Sequence, residues 1–240
     1  MNGSKLIDLR DCQNSEYQRI FQNMDRIRWG MHGFLAHWVF RVFGKAHKLK
    51  LYWWSRQWEY PWAVLNADLY PGLVILDAGC GASPLLPYLA RNYQNLSLYG
   101  IDIGKDPKAK IPLKVRLLRP LGYVPLEGLF LGLSQQVHLR QESILSMSFS
   151  DNFFDRIFCI SVLEHIPIET QSRAIHEMSR VLKPGGRLVI TMDLPKDEPQ
   201  APDNIVRSSG LHQVGSLDYL ANRALRHSYN YEVAGLLLKK

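Results

Sequence analysis

The sequence predicts an α/β fold built on a doubly wound, mostly parallel, Rossmann-like sheet. Three observations carry this reading. The apolar run Leu73-Val74-Ile75-Leu76 leads into Asp77 and a turn holding Gly79 and Gly81. A second apolar stretch, Leu96 to Ile101, ends in Asp102. A third, Arg156 to Ile160, precedes a helical segment and then a fourth, Arg187 to Met192. Strands buried on both faces read as continuous apolar runs. Strands alternating with helices pair in parallel through right-handed crossovers.

Each element has its own signal. Ser83-Pro84 supplies a cap and a first helical position after the glycine turn, and the helix runs on through Leu89 to Arg91. Pro87 removes one early intrahelical bond. From about Glu169 to Leu182, the apolar residues Ala174, Ile175, Met178, Val181 and Leu182 recur at helical spacing. Lys183-Pro184-Gly185-Gly186 then stops that helix. Tyr231 to Leu238 reads as a final strand, Leu217 to Leu225 as a helix, and Pro195 to Ser209 as a polar loop.

Length and composition set the bounds. The chain has 240 residues, 46% of them hydrophobic and 21% charged, enough apolar material for a sizeable core. No run of 18 uncharged apolar residues occurs. Asp8 and Arg10 fall where a signal peptide needs an apolar stretch. Cys12, Cys80 and Cys159 lie far apart without metal-ligand spacing, and read as reduced thiols of a cytoplasmic chain. The net charge of +7 is uneven: residues 1–70 carry ten basic against six acidic side chains, and residues 105–140 seven against two. No nucleic-acid module accompanies that charge, so nucleic acid is not the favoured partner.

Strand, glycine turn and helix form the template of a nucleotide-cofactor site. An acid ending the second strand, Asp102, is placed to accept hydrogen bonds from ribose hydroxyls. A dinucleotide fingerprint needs a third glycine where this chain has Pro84. Asp77 immediately before the turn suits S-adenosylmethionine instead, which has no pyrophosphate but carries an ammonium. Together VILDAGCGASPL (74–85), YGIDIG (99–104), FSDNFFDRIFCISVLEHI (149–166) and RVLKPGGRLVI (180–190) resemble the class I S-adenosylmethionine-dependent methyltransferases of the small-molecule type 11 kind. The resemblance covers about residues 55–193.

The resemblance implies roles. Asp77, Gly79 and Gly81 surround the methionine part of the cofactor, Asp102 binds its ribose, and Ile103 lies against adenine. Ser143 and Ile144 sit where the family has an acid and a small apolar residue at adenine, with Glu142 able to substitute by a one-residue shift. Ser161 lines the cofactor near its sulfur. Tyr60 or Arg56, in the segment before the first strand, touches its carboxylate end. His165 is the first candidate base, against a structural role at least as well supported; His32, His37 and His212 are the alternatives. The implied reaction is methyl transfer to O, N or C of a small organic acceptor by direct displacement. Its rivals are a cofactor-binding interaction protein of the same fold that does not catalyse, and a nicotinamide-dependent oxidoreductase.

The remaining segments divide as a helical cap at 1–62, holding all six tryptophans, and the cofactor-binding domain at 63–240. Within the latter lie a basic and apolar insertion at 105–141 and an acceptor-side segment at 195–228. Lys114, Arg116 and Arg119 suit an acidic acceptor or, equally, a solvated surface; the cap's aromatics read first as packing onto the core, and second as a lid for a flat or greasy acceptor. Peripheral membrane contact through the tryptophan-rich helix, with Leu35, Trp38, Val39 and Val42 on one face, is the less favoured use of that region.

Overall fold

The computed structural model describes residues 3–8, 10–29, 55–81, 83–104, 137–195, 201–217 and 231–240. Several expectations lie outside them: the tryptophan-rich helix with His32 and His37, the insertion with Lys114, Arg116 and Arg119, and the 217–225 helix beyond its first residue.

Eight strands form one sheet: β1 (Lys5–Leu6), β2 (Val74–Ala78), β3 (Ser97–Asp102), β4 (Val137–Gln141), β5 (Phe154–Ile160), β6 (Leu182–Pro195), β7 (His212–Gln213) and β8 (Tyr231–Lys239). Their spatial order is β1-β8-β6-β5-β2-β3-β4, with β7 also pairing with β8. The pairs β2–β3, β3–β4, β2–β5 and β5–β6 are parallel. β8 runs antiparallel to β6, β1 and β7. From β2 the chain winds outward to β3 and β4, then returns to the other side of β2 as β5. The strand order therefore reverses between β2 and β5, and their C-terminal ends flank the crevice where open α/β sheets take ligands.

Among the described residues five α-helices cover the sheet: α1 (Ser15–Trp29), α2 (Arg56–Asn66), α3 (Leu85–Asn92), α4 (Ile168–Val181) and α5 (Ala201–Ser209). Strand alternation sorts their contacts into two apolar clusters. On one face Ile75, Phe158, Val189, Val233 and Leu237 meet Ile20 and Met24 of α1, Trp58 and Trp62 of α2, and Leu85 and Leu89 of α3. On the other, Leu76, Ile157, Leu188, Ile190 and Leu236 meet Ala174, Ile175, Met178 and Val181 of α4 and Ile205 of α5. The apolar stripe read for α4 is the one it buries.

Four details differ from the sequence reading. Helix α3 starts at Leu85, with Pro84 flanking it and the Ser83 hydroxyl accepting the Leu85 N–H at 3.1 Å. Pro87 thus lies in the first turn, where its missing N–H costs nothing. Strand β6 begins at Leu182 and carries Pro184-Gly185-Gly186 inside it, where the register against β5 shifts between Phe154 and Arg156. Residues 201–209 form α5 rather than continuing a loop. The segment before the first strand is helix α2, which runs through the junction at 62–63 and holds Pro61 in its interior. Trp58 and Trp62, one turn apart, stack at 5.4 Å between ring centroids, fully buried. That burial outweighs the hydrogen bond Pro61 removes. Among the described residues no helix is long and apolar enough to cross a membrane.

Candidate functional site

Asp77 projects from β2 onto the face shared with Ile75, and is 2% exposed. Its Oδ2 is buried and has no hydrogen-bond partner among the described residues. Burial, with the charge of Asp102 second, pushes its carboxyl up to about 7. The turn after β2 is tied to β3: the Ile101 carbonyl accepts the N–H groups of Gly79 and Cys80 at 2.8 and 3.0 Å. Gly79 has φ +80° and Gly81 φ +41°. A Cβ at Gly79 would lie 2.6 and 2.8 Å from the methyls of Val162, so this glycine is required by both conformation and space.

Asp102 closes the corner from β3. Its Oδ2 accepts the Gly81 N–H at 2.9 Å and its Oδ1 accepts the Gly104 N–H at 2.7 Å. The carboxylate therefore holds the glycine turn while each oxygen keeps a further lone pair. Ile103 beside it is 72% exposed, an apolar side chain standing free at a strand end. From β4, Glu142 N–H donates to the Asp102 carbonyl at 3.0 Å, bringing residues 142–144 next to 102–103. The Ser143 hydroxyl accepts the Leu145 N–H at 3.2 Å, and Ile144 is buried in the cluster under α4. Glu142 accepts the Ser148 N–H.

Ser161 follows β5 with φ +49°, an uncommon conformation for a residue with a side chain. It is held by three contacts. Its N–H donates to the Thr191 carbonyl at 2.9 Å. Its hydroxyl donates to Glu59 Oε1 at 2.9 Å and accepts from Arg56 Nη1. Arg56 also pairs with Glu59, which is fully buried. Next along α2, Tyr60 is buried and its side chain is hydrogen-bonded to Ser83, with burial pushing the phenol up.

Two carboxylates adjoin this group that sequence reasoning did not single out. Glu164, in the short turn Leu163–His165, accepts the Asp193 N–H at 3.3 Å. Asp193 lies near the end of β6. Burial pushes Glu164 up to about 7, against backbone hydrogen bonds that pull it down and with repulsion from Glu59. Burial, then the charges of Glu164 and Glu59, push Asp193 up to about 7. Asp193 carried a readable signal: an acid at the end of a parallel strand, the pattern that marks Asp77 and Asp102. His165 is exposed and close enough to Asp193 to act on its charge. His212 is placed elsewhere. It pairs with Lys239, at the end of β8 opposite the C-terminal ends of the parallel strands, which removes it as a base.

A methyltransferase-domain family model matches residues 76–190. Over that segment, just under half of its length, the chain carries the methyltransferase domain of the type 11, S-adenosylmethionine-dependent kind. It is 27% identical over 142 residues to an uncharacterized methyltransferase, YdaC, of Bacillus subtilis, covering 59% of this chain and 67% of that one. It is 32% identical over 119 residues to a ubiquinone biosynthesis O-methyltransferase of Hahella chejuensis, covering 49% and 42%. The fold matches a putative sarcosine dimethylglycine methyltransferase of Galdieria sulphuraria with a TM-score of 0.56 at 16% identity, over 78% and 85% of the two chains. The chain spans between 38% and 67% of the length of its first-matched curated relatives. The glycine corner, Asp102, Ser161 and His165 all fall within the part matched to this type 11 methyltransferase family, whereas Arg56, Glu59, Tyr60 and Asp193 lie outside it.

Proposed function

We propose that this protein transfers a methyl group from S-adenosylmethionine to O, N or C of a small organic acceptor by direct displacement. The observation that carries the reading is Asp77: a buried carboxylate oxygen without a partner, set beside a side-chain-poor corner and one strand away from a second carboxylate. A buried acceptor of that kind calls for a donor, and the cofactor's ammonium is one. The remaining residues fit the same group. Gly79 and Gly81 let backbone approach its methionine part, Asp102 offers lone pairs to ribose hydroxyls, and exposed Ile103 covers one adenine face with Ser143 alongside, while the Ile144 side chain is turned into the core. Tyr60, Arg56 and Ser161 lie toward the methionine end. Bound S-adenosylmethionine supplies an electrophilic methyl on a sulfonium. The chain's part is to hold the acceptor in line with it and keep water out, so that positioning supplies much of the acceleration. His165, exposed beside Asp193, is the proposed base for an acceptor that must lose a proton. The free thiols of Cys12, Cys80 and Cys159 favour a reducing, cytoplasmic setting.

Calorimetric titration separates this reading from a nicotinamide-dependent one. S-adenosylmethionine is expected to bind and NAD not to. Asp102→Ala removes both the ribose acceptor and the bond that holds the Gly81 N–H. It is expected to weaken the cofactor by about 1–3 kcal/mol, or about 5- to 150-fold. Unchanged affinity in that variant would place the ribose elsewhere. Cofactor binding without turnover on a broad acceptor panel would favour a non-catalytic role.

A further inference from the structure

We propose that the polar cluster between α2 and the C-terminal ends of β5 and β6, formed by Glu59, Glu164, Thr191 and Asp193, receives a basic nitrogen of the methyl acceptor. The proposal rests on the methyl-transfer reading above and names the substrate class of that site. Thr191 is fully buried and its Oγ1 has no hydrogen-bond partner. Strand alternation aims it, and Asp193 two residues on, toward the face of Val189, which packs in the cluster of α2. Glu164 Oε2 and Asp193 Oδ1 are likewise covered and without partners. The Asp193 N–H donates to Glu164 Oε1, the Ser161 hydroxyl to Glu59 and the Ser161 N–H to the Thr191 carbonyl, and the charge of Glu59 acts on both Glu164 and Asp193. Glu164 and Asp193 are half-buried as residues, so part of each reaches the surface.

The chemistry of these atoms selects the ligand. Two of the three unpartnered atoms are carboxylate oxygens, which accept and do not donate when ionised. A ligand that satisfies them together must bring several donors, and an ammonium does. Charge points the same way. Three carboxylates stand against one guanidinium, Arg56, whose Nη1 is engaged by Glu59 and Ser161. A carboxylate or phosphate would be repelled, and an alcohol brings one donor. Among the described residues no group of three carboxylate, imidazole or thiol side chains is placed to hold a metal ion.

The cluster also suits the proton balance of N-methylation. A protonated amine has no lone pair to form the new N–C bond. Its proton passes to Asp193, beside Glu164, and His165, the base proposed above, stands next to Asp193 to take the proton on. The nitrogen lone pair then forms the bond to the methyl carbon as the C–S bond breaks with its electrons onto sulfur. Both carboxyls are held at about 7, so each can take up and return a proton near neutrality.

The test uses the full chain saturated with S-adenosylhomocysteine and a panel of amines, each paired with its isosteric alcohol and carboxylate, such as benzylamine, benzyl alcohol and benzoate. Binding is read by calorimetry. At least one amine is expected to bind tenfold or more tighter than both counterparts. That preference should collapse in Glu164→Gln and Asp193→Asn, while S-adenosylmethionine affinity in those variants stays within about twofold of the parent. Cofactor binding with no amine preferred over its alcohol, or a preference untouched by both substitutions, would overturn the inference and leave the methyl-transfer reading standing. Failure of the parent chain to bind S-adenosylmethionine would overturn both.

Discussion

Gly79→Ala is expected to cost about 2–5 kcal/mol of stability and to weaken S-adenosylmethionine binding as well. Two effects add at this position. At φ +80° a side chain enters the left-handed region, which costs about 1–2 kcal/mol for a residue other than glycine. The new methyl would also lie 2.6 Å from one Val162 methyl and 2.8 Å from the other. Forcing an extra carbon into packed surroundings costs about 1–3 kcal/mol. For a chain of this length, about 1 kcal/mol moves the melting temperature by roughly 2–4 °C, so a fall of about 4–20 °C is expected. Val162 follows Ser161, so the collision joins the turn after β2 to the turn after β5, the two walls of the crevice. Adding Val162→Ala to Gly79→Ala should recover the packing part of the loss and leave the conformational part. A single variant that melts with the parent and binds cofactor equally well would show that the two turns do not meet here.

The parts of the fold legible in the sequence are those whose signal is local. β2, β3 and β5 announce themselves as apolar runs because both of their faces are covered. α4 is legible because Ala174, Ile175, Met178 and Val181 must all reach one apolar cluster. What the sequence concealed depends on distant partners. β1 and β7, two residues each, are strands only because β8 offers an edge, and two residues are too few to alternate. Pro61 disguised α2, since a proline mid-helix argues locally for a break, and only the burial of Trp58 and Trp62 reverses the balance. The cofactor corner was legible because Asp77, Gly79, Gly81 and Asp102 keep a fixed spacing around two strand ends. The Glu59–Ser161 contact was not, because it joins residues 102 positions apart. Glu59 itself sits among aromatics in RQWEYPW, where an acid is exposed in a loop but buried in a helix. Ser143 and Ile144 were placed by resemblance alone. The structure sets them beside Asp102 through the Glu142 N–H, with Ile144 turned into the core.

The buried Asp77 carboxyl makes the stability of the ligand-free protein fall as pH rises. Its ordinary value is near 3.8, and burial, with repulsion from Asp102 second, holds it at about 7 in the fold. Between about pH 4 and 7 the folded protein keeps a proton that the unfolded chain has released. Stability therefore declines across that window, by up to about 1.4 kcal/mol per pH unit from this one group, and levels off above it. Glu164 and Asp193 act in the same sense. Cofactor binding responds oppositely. The proposed ammonium contact favours the ionised carboxylate, so binding expels the proton and affinity rises with pH up to about 7, by as much as about tenfold per unit. Cofactor should thus stabilise the protein most where the ligand-free form is weakest. Melting curves from pH 5 to 8, with and without S-adenosylmethionine, check both halves. Asp77→Asn should lessen the ligand-free slope by that one group's share, leaving the part due to Glu164 and Asp193, and remove most of the pH dependence of binding. A parent protein whose ligand-free melting temperature climbs from pH 5 to 7, or a variant whose slopes match the parent's, would mean that Asp77 is ionised in the fold and already has its partner.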